Sequence, residues 1–152
     1  MIERSLAAFF QEGLSIHIGT RNERLEPNGA KAIAAIVDDD GVHMDVYVPK
    51  VAAARLLPDL EANGQAAVVL CRPTDDRACQ VKGVFAGVRP ARASERAEVV
   101  RQSTQYRDYL ERIGIPREAT GSLVIWPALV VRLKTTAVFD QTPGPKAGRQ
   151  MS

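Results

Sequence analysis

Cysteine is scarce in this chain: there are two, Cys71 and Cys79. Neither belongs to a Cys-x-x-Cys pair, and His17 and His43 lie far from both in sequence. The four-ligand spacing of a structural zinc site is therefore missing, and no metal is expected. The two thiols read as reduced, small, buried or strand-edge residues. A disulfide between them stays open only if a tight hairpin brings their Cα atoms close. Long apolar runs are also lacking. Leu6–Phe10 is followed by Gln11 and Glu12, too short a stretch for a signal peptide, and nothing approaches the length of a membrane span. The expected location is the cytoplasm. Charge of one sign is nowhere concentrated: 20 basic residues face 18 acidic ones, for a net charge of +2. Arg89, Arg92, Arg96 and Arg101 come nearest to a basic stripe, but Glu95 and Glu98 sit among them. That is the pattern of a solvated, salt-bridged helix face rather than of a nucleic-acid surface. Internal repeats are absent, and no Ser-His-Asp or Cys-His arrangement stands out.

What is present suits one globular domain: 152 residues, 45% apolar and 25% charged. Residues 2–11 predict a short helix stopped by Gly13. Leu14, Ile16 and Ile18 alternate with Ser15, His17 and Gly19, the period of a half-buried strand. Pro27-Asn28-Gly29 marks a turn, and a second strand follows over residues 30–37. Asp38 to Gly41 predicts a hairpin turn, because Asp-Gly readily supplies positive φ. The third strand, residues 42–48, again alternates. A helix over residues 51–62 contains Pro58, so a kink or two short pieces are expected there. Ala66–Cys71 is continuously apolar, the pattern of a strand buried on both sides. Residues 79–88 form the next strand. Residues 93–113 predict the longest helix, with a stripe of Ala97, Val100, Thr104, Tyr106, Leu110 and Ile113. Ala128–Phe139 alternates as the last strand. Residues 141–152, rich in Pro and Gly, read as a flexible tail, which leaves residues 1–140 as the domain. About six strands joined mainly by hairpins need to close on themselves. The expected fold class is mainly β with α, a small antiparallel split β-barrel with flanking helices.

Three stretches then resemble the FMN-binding split-barrel family related to pyridoxamine 5′-phosphate oxidase. They are the strand-turn-strand from Asn28 to Pro49, the helix ending in Leu60-Glu61-Ala62-Asn63-Gly64 before an apolar strand, and Gln80-Val81-Lys82-Gly83. The resemblance spans roughly residues 14–88. It implies an FMN cofactor, with haem or a deazaflavin as less favoured ligands, and a homodimer whose sites draw on both subunits. It implies a flavin-dependent oxidoreductase acting on a small molecule. A haem-binding protein or a non-catalytic binding module of the same fold are the alternatives. It places the flavin ring along Ala30, Lys31, Ala32 and Ile33, with Val48 and Pro49 before the helix. The phosphate falls to Arg55, with Lys50 and Lys31 as further cations, and Ala54 occupies the position of a family arginine. Gln80 matches a glutamine that reaches the flavin. The physical basis is that a phosphate favours basic side chains and a helix N-terminus. Arg55 lies in the apolar stretch Val51–Leu57, so its charge calls for a partner: a ligand, or Asp59 or Glu61. His17 falls near this site and reads as a structural residue or as a polariser of a bound oxygen. The C-terminal Trp and Arg pattern that grips pyridoxine phosphate in the named oxidases is missing.

Overall fold

A computed structural model describes residues 1–152. The elements run α1 (Arg4–Phe10), β1 (Ser15–Arg21), β2 (Pro27–Ala32), β3 (Ala34–Val37), β4 (His43–Pro49), α2 (Lys50–Asn63), β5 (Gln65–Cys71), β6 (Ala78–Pro90), α3 (Arg96–Arg112) and β7 (Ala128–Asp140), with short 3-10 turns at Ala93–Glu95 and Arg117–Thr120. Every strand pairing is antiparallel, in the order β2-β1-β5-β6-β7-β4-β3. The expected second strand is thus divided. Its first part begins at Pro27 and pairs with β1, and its second part pairs with β4. Ile33 is the break, and its N–H still reaches the carbonyl of Tyr47 at 2.9 Å. The two outermost strands are therefore consecutive pieces of one chain, and that bend curls the seven-stranded sheet into the split barrel.

Alternation decides which side chains fill the barrel. Ile16 and Ile18 of β1, Met44, Val46 and Val48 of β4, Val68 and Leu70 of β5, and Leu133 and Val138 of β7 are buried together. Helix α1 adds Leu6, Phe9 and Phe10, and α2 adds Ala53, Leu56 and Leu60. Pro58 does not break α2, which runs through it. The carbonyl that loses its partner belongs to Ala54, an exposed residue where water can replace the missing N–H. Gly64 ends the helix at φ 70°, donating to the carbonyl of Leu60 at 2.9 Å.

Two expectations are corrected by packing. Strand β5 is not buried on both sides: Ala66, Val68 and Leu70 point inward, while Ala67, Val69 and Cys71 stay half-exposed on the outer face. Helix α3 buries Val99, Gln102 and Ser103 rather than the expected stripe, and Val100 and Ile113 are exposed. Positions 99, 102, 103 and 106 are the true i, i+3, i+4, i+7 face, obscured in the sequence because two of them are polar. Residues 141–152 double back along β7, where Met151 donates to the carbonyl of Val138 at 2.7 Å and Asp140 to that of Arg149 at 2.9 Å.

The thiols do not approach each other as a pair. Cys79 points into the core, where burial raises its pKa to about 11, and Cys71 lies on the outer face. No helix is long and apolar enough to cross a membrane.

Candidate functional site

Two rows of side chains cross the outer face of the sheet. The register aligns Lys31 of β2 with His17 of β1, His17 with Val69 of β5, and Val69 with Gln80 of β6. The second row aligns Gly29, Gly19 and Ala67. Residues two apart on a strand share a face, so a row of reaching side chains borders a row with almost none. The result is an open groove of about 520 Å³, also lined by Arg55 of α2 and by Ala30. A Cβ on Gly19 would meet nothing nearer than 3.8 Å, so its own chain does not demand a glycine there. The row of small residues leaves the groove with a flat floor.

A second concavity adjoins the groove and shares Lys31 and Arg55 with it. It measures about 270 Å³. Its walls are Ala32 and Ile33 beside the bend in the sheet, Pro49 at the end of β4, Ala52 of α2, and Ser103 and Tyr106 of α3. Leu14 and the segment 122–125 complete it.

The expected site residues divide accordingly. Ala30, Lys31, Arg55 and Gln80 line the groove, and Lys31, Ala32, Ile33, Pro49 and Arg55 line the cavity. Val48 is buried within the barrel, and the exposed Lys50 and Ala54 line neither concavity. The first N–H of α2 is also engaged, since Lys50 donates to the carbonyl of Pro127 at 3.0 Å. The cationic character of the site therefore comes from side chains more than from the helix end. Residues that the sequence reading missed are Ser103, Tyr106 and the segment 122–125. Tyr106 was legible only as a member of an apolar helix stripe, and 122–125 carries no motif.

The electrostatics are one-sided. No carboxylate lies within the 4.0 Å salt-bridge distance of Lys31 or Arg55, although seven other basic residues are paired. Asp59, one expected partner for Arg55, instead accepts a hydrogen bond from the Thr20 hydroxyl at 2.7 Å. The Arg55 carbonyl is fixed by Asn28 Nδ2 at 2.8 Å, while its guanidinium is left for another group. Lys31 Nζ donates to Tyr106 Oη at 3.0 Å and lies 4.3 Å from the centre of that ring. Two unpaired cations at the junction of two concavities are suited to an anion.

His17 stands exposed on the groove wall and makes no hydrogen bond through its ring. Partial desolvation, and then the charge of Lys31, lower its pKa below the ordinary 6.5. Both causes favour the neutral imidazole. Its folded pKa lies below its unfolded one, so its contribution to stability is present above about 6.5 and is lost as the pH falls through the folded value. We expect a proton NMR titration to place His17 below 6.5, and Lys31→Met to move it part of the way back. A midpoint at or above 6.5 would contradict the groove's electrostatics. His43 lies elsewhere: its Nδ1 is 2.7 Å from Asp40 Oδ2 in the β3–β4 turn.

Solved structures of similar shape bear on this arrangement. HupZ from Group A Streptococcus matches with a TM-score of 0.57 at 14% identity, over 97% of this chain and 100% of the other. A protein related to general stress protein 26, of the pyridoxine phosphate oxidase family, from Clostridium acetobutylicum matches with a TM-score of 0.50 at 13% identity, over 86% and 81%. The fold is that of the pyridoxamine 5′-phosphate oxidase-like split barrels. An FMN-binding protein from Syntrophomonas wolfei shares this split barrel with a TM-score of 0.50 at 9% identity, over 87% of this chain and 85% of the other. No protein-family model and no curated protein sequence matches the chain. At such identities the likeness is one of fold, and the site must be argued from its own residues.

Proposed function

We propose that this split barrel binds FMN in the groove and works as a homodimeric, flavin-dependent oxidoreductase on a small molecule. The observation that carries this reading is the pair of unpaired cations, Lys31 and Arg55, beside a floor of Gly19, Gly29 and Ala67. In it, Arg55 grips the phosphate and Lys31 adds its charge. The ring lies over the flat floor, and Gln80 offers an amide to its polar edge. His17, whose neutral form the site favours, borders the same floor as an acceptor or weak donor. Bound FMN would supply hydride and electron transfer, while the chain's own residues orient it and limit water at one face. The FMN-binding neighbour supports the choice of ligand.

The half-exposed apolar residues on the outer face, Ala67 and Val69 of β5 and Phe139 of β7, support the homodimer. A second copy packed there would cover them and close the open groove into a pocket. Two free cysteines suit the cytoplasm.

One observation favours a second reading, haem. The His17 ring is unpartnered and faces the groove. Fluorescence titration with FMN and with riboflavin tests the first reading. We expect FMN to bind at least tenfold more tightly, about 1.4 kcal/mol, in line with a hydrogen bond to a charged group. Equal affinities would contradict the phosphate grip, and a Soret band on adding haem that disappears in His17→Ala would replace flavin with haem.

A further inference from the structure

We infer that Tyr106 of α3 is a positioning residue of the cofactor site, holding the Lys31 ammonium in place for an anion before any ligand arrives. This rests on the reading of Lys31 and Arg55 as the phosphate grip and says how one of the two cations is set. Lys31 Nζ donates to Tyr106 Oη at 3.0 Å and lies 4.3 Å from the ring centre. Both contacts are with a neutral side chain. A carboxylate there would hold the ammonium but cancel its charge, as Glu95 does for Arg89 at 2.6 Å. An ammonium has three N–H donors, so the bond to Tyr106 leaves two for an anion.

The tether matters because lysine is long and flexible. A free lysine loses rotamer freedom when it grips a ligand. Holding it beforehand removes that loss from the binding step. A tether works only if its far end is fixed, and here it is. Val99 of α3 is buried with Ala34, Tyr47 and Val130. Gln102 bonds both backbone groups of Ala35. Tyr106 stands one helical turn beyond Gln102, on the same face. The Arg55 guanidinium, by contrast, makes no hydrogen bond to the protein, and only its backbone carbonyl is held, by Asn28. Lys31 is therefore set in advance, and Arg55 adapts to what arrives.

Tyr106→Phe keeps the ring and removes the hydroxyl, and it is tested in the full chain. Proton–nitrogen NMR observes the lysine ammonium groups of the ligand-free protein, with the Lys31 signal identified by its loss in Lys31→Met. Fluorescence titration measures FMN and riboflavin, and phosphorus NMR measures inorganic phosphate. We expect a resolved Lys31 signal in the wild type and a broadened one in Tyr106→Phe. FMN and phosphate should bind Tyr106→Phe about three- to tenfold more weakly, the effect of ordering one long side chain. Riboflavin, which has no phosphate, should bind as before. In a Lys31→Met background, Tyr106→Phe should weaken FMN no further. Undiminished FMN affinity, equal losses for FMN and riboflavin, or a loss that persists in Lys31→Met would overturn the inference. If the wild type binds phosphate but not FMN, the flavin reading falls, and the phosphate comparison still decides the tether: weaker binding in Tyr106→Phe upholds it, and equal binding overturns it.

Discussion

Arg55→Ala is expected to weaken FMN by about 1.5–3 kcal/mol, roughly 10- to 150-fold, the size of a hydrogen bond to a charged group. The effect is large because nothing in the protein competes for the guanidinium. Asp59 is occupied by Thr20, and no carboxylate stands within salt-bridge reach. For the same reason the substitution should leave the fold nearly unchanged. Arg55 is exposed, and its structural bond to Asn28 is made by a backbone carbonyl that alanine keeps. A structural arginine would show the reverse, a lower denaturation midpoint with unaltered flavin affinity. Titration calorimetry with FMN and urea denaturation of the ligand-free protein together separate the two. Unchanged FMN affinity would remove Arg55 from the site.

The largest loss of stability is expected from Gln102→Leu, about 2–5 kcal/mol. Gln102 is fully buried. Its Oε1 accepts from the Ala35 N–H at 3.1 Å, and its Nε2 donates to the Ala35 carbonyl at 3.0 Å. The side-chain amide thereby takes the place of a neighbouring strand's peptide on the open edge of β3. Leucine has nearly the same shape but leaves both backbone groups buried without partners, at about 1–3 kcal/mol each. Glu98 Oε1 also loses a donor at 2.9 Å. Chemical denaturation measures the difference. A change under 1 kcal/mol would mean that water reaches the β3 edge and that α3 is held by its other contacts, Val99 and the Tyr106–Lys31 bond among them.

These two residues show where sequence reading succeeds and where it stops. The strands were legible because alternation has a direct physical cause: Ile16 and Ile18 point inward and Ser15 and His17 outward, as their spacing requires. Asp40 and Gly41 likewise mark the turn, with Gly41 at φ 66° and Asp40 Oδ1 accepting the N–H groups of Val42 and His43. The barrel closure was less legible. The break at Ile33 lies inside one unbroken β-like stretch, and only the two different partner strands reveal it. Gln102 could not be told from a surface glutamine, because its partner is 67 residues away and is backbone. Tyr106 looked like one more apolar helix residue, though its hydroxyl holds Lys31 across 75 residues. Lys31 and Arg55 were named as cations, but that they are unpaired and adjoin the same two concavities depends on long-range packing. Lys50 and Ala54 were named from the family resemblance, and in the structure they line neither concavity.

The most direct test is size-exclusion chromatography of the purified chain after incubation with FMN, with absorbance and light scattering read on the same peak. We expect flavin bands to travel with a particle of twice the chain mass, 16.5 kDa. A colourless monomer would contradict both the flavin site and the shared groove.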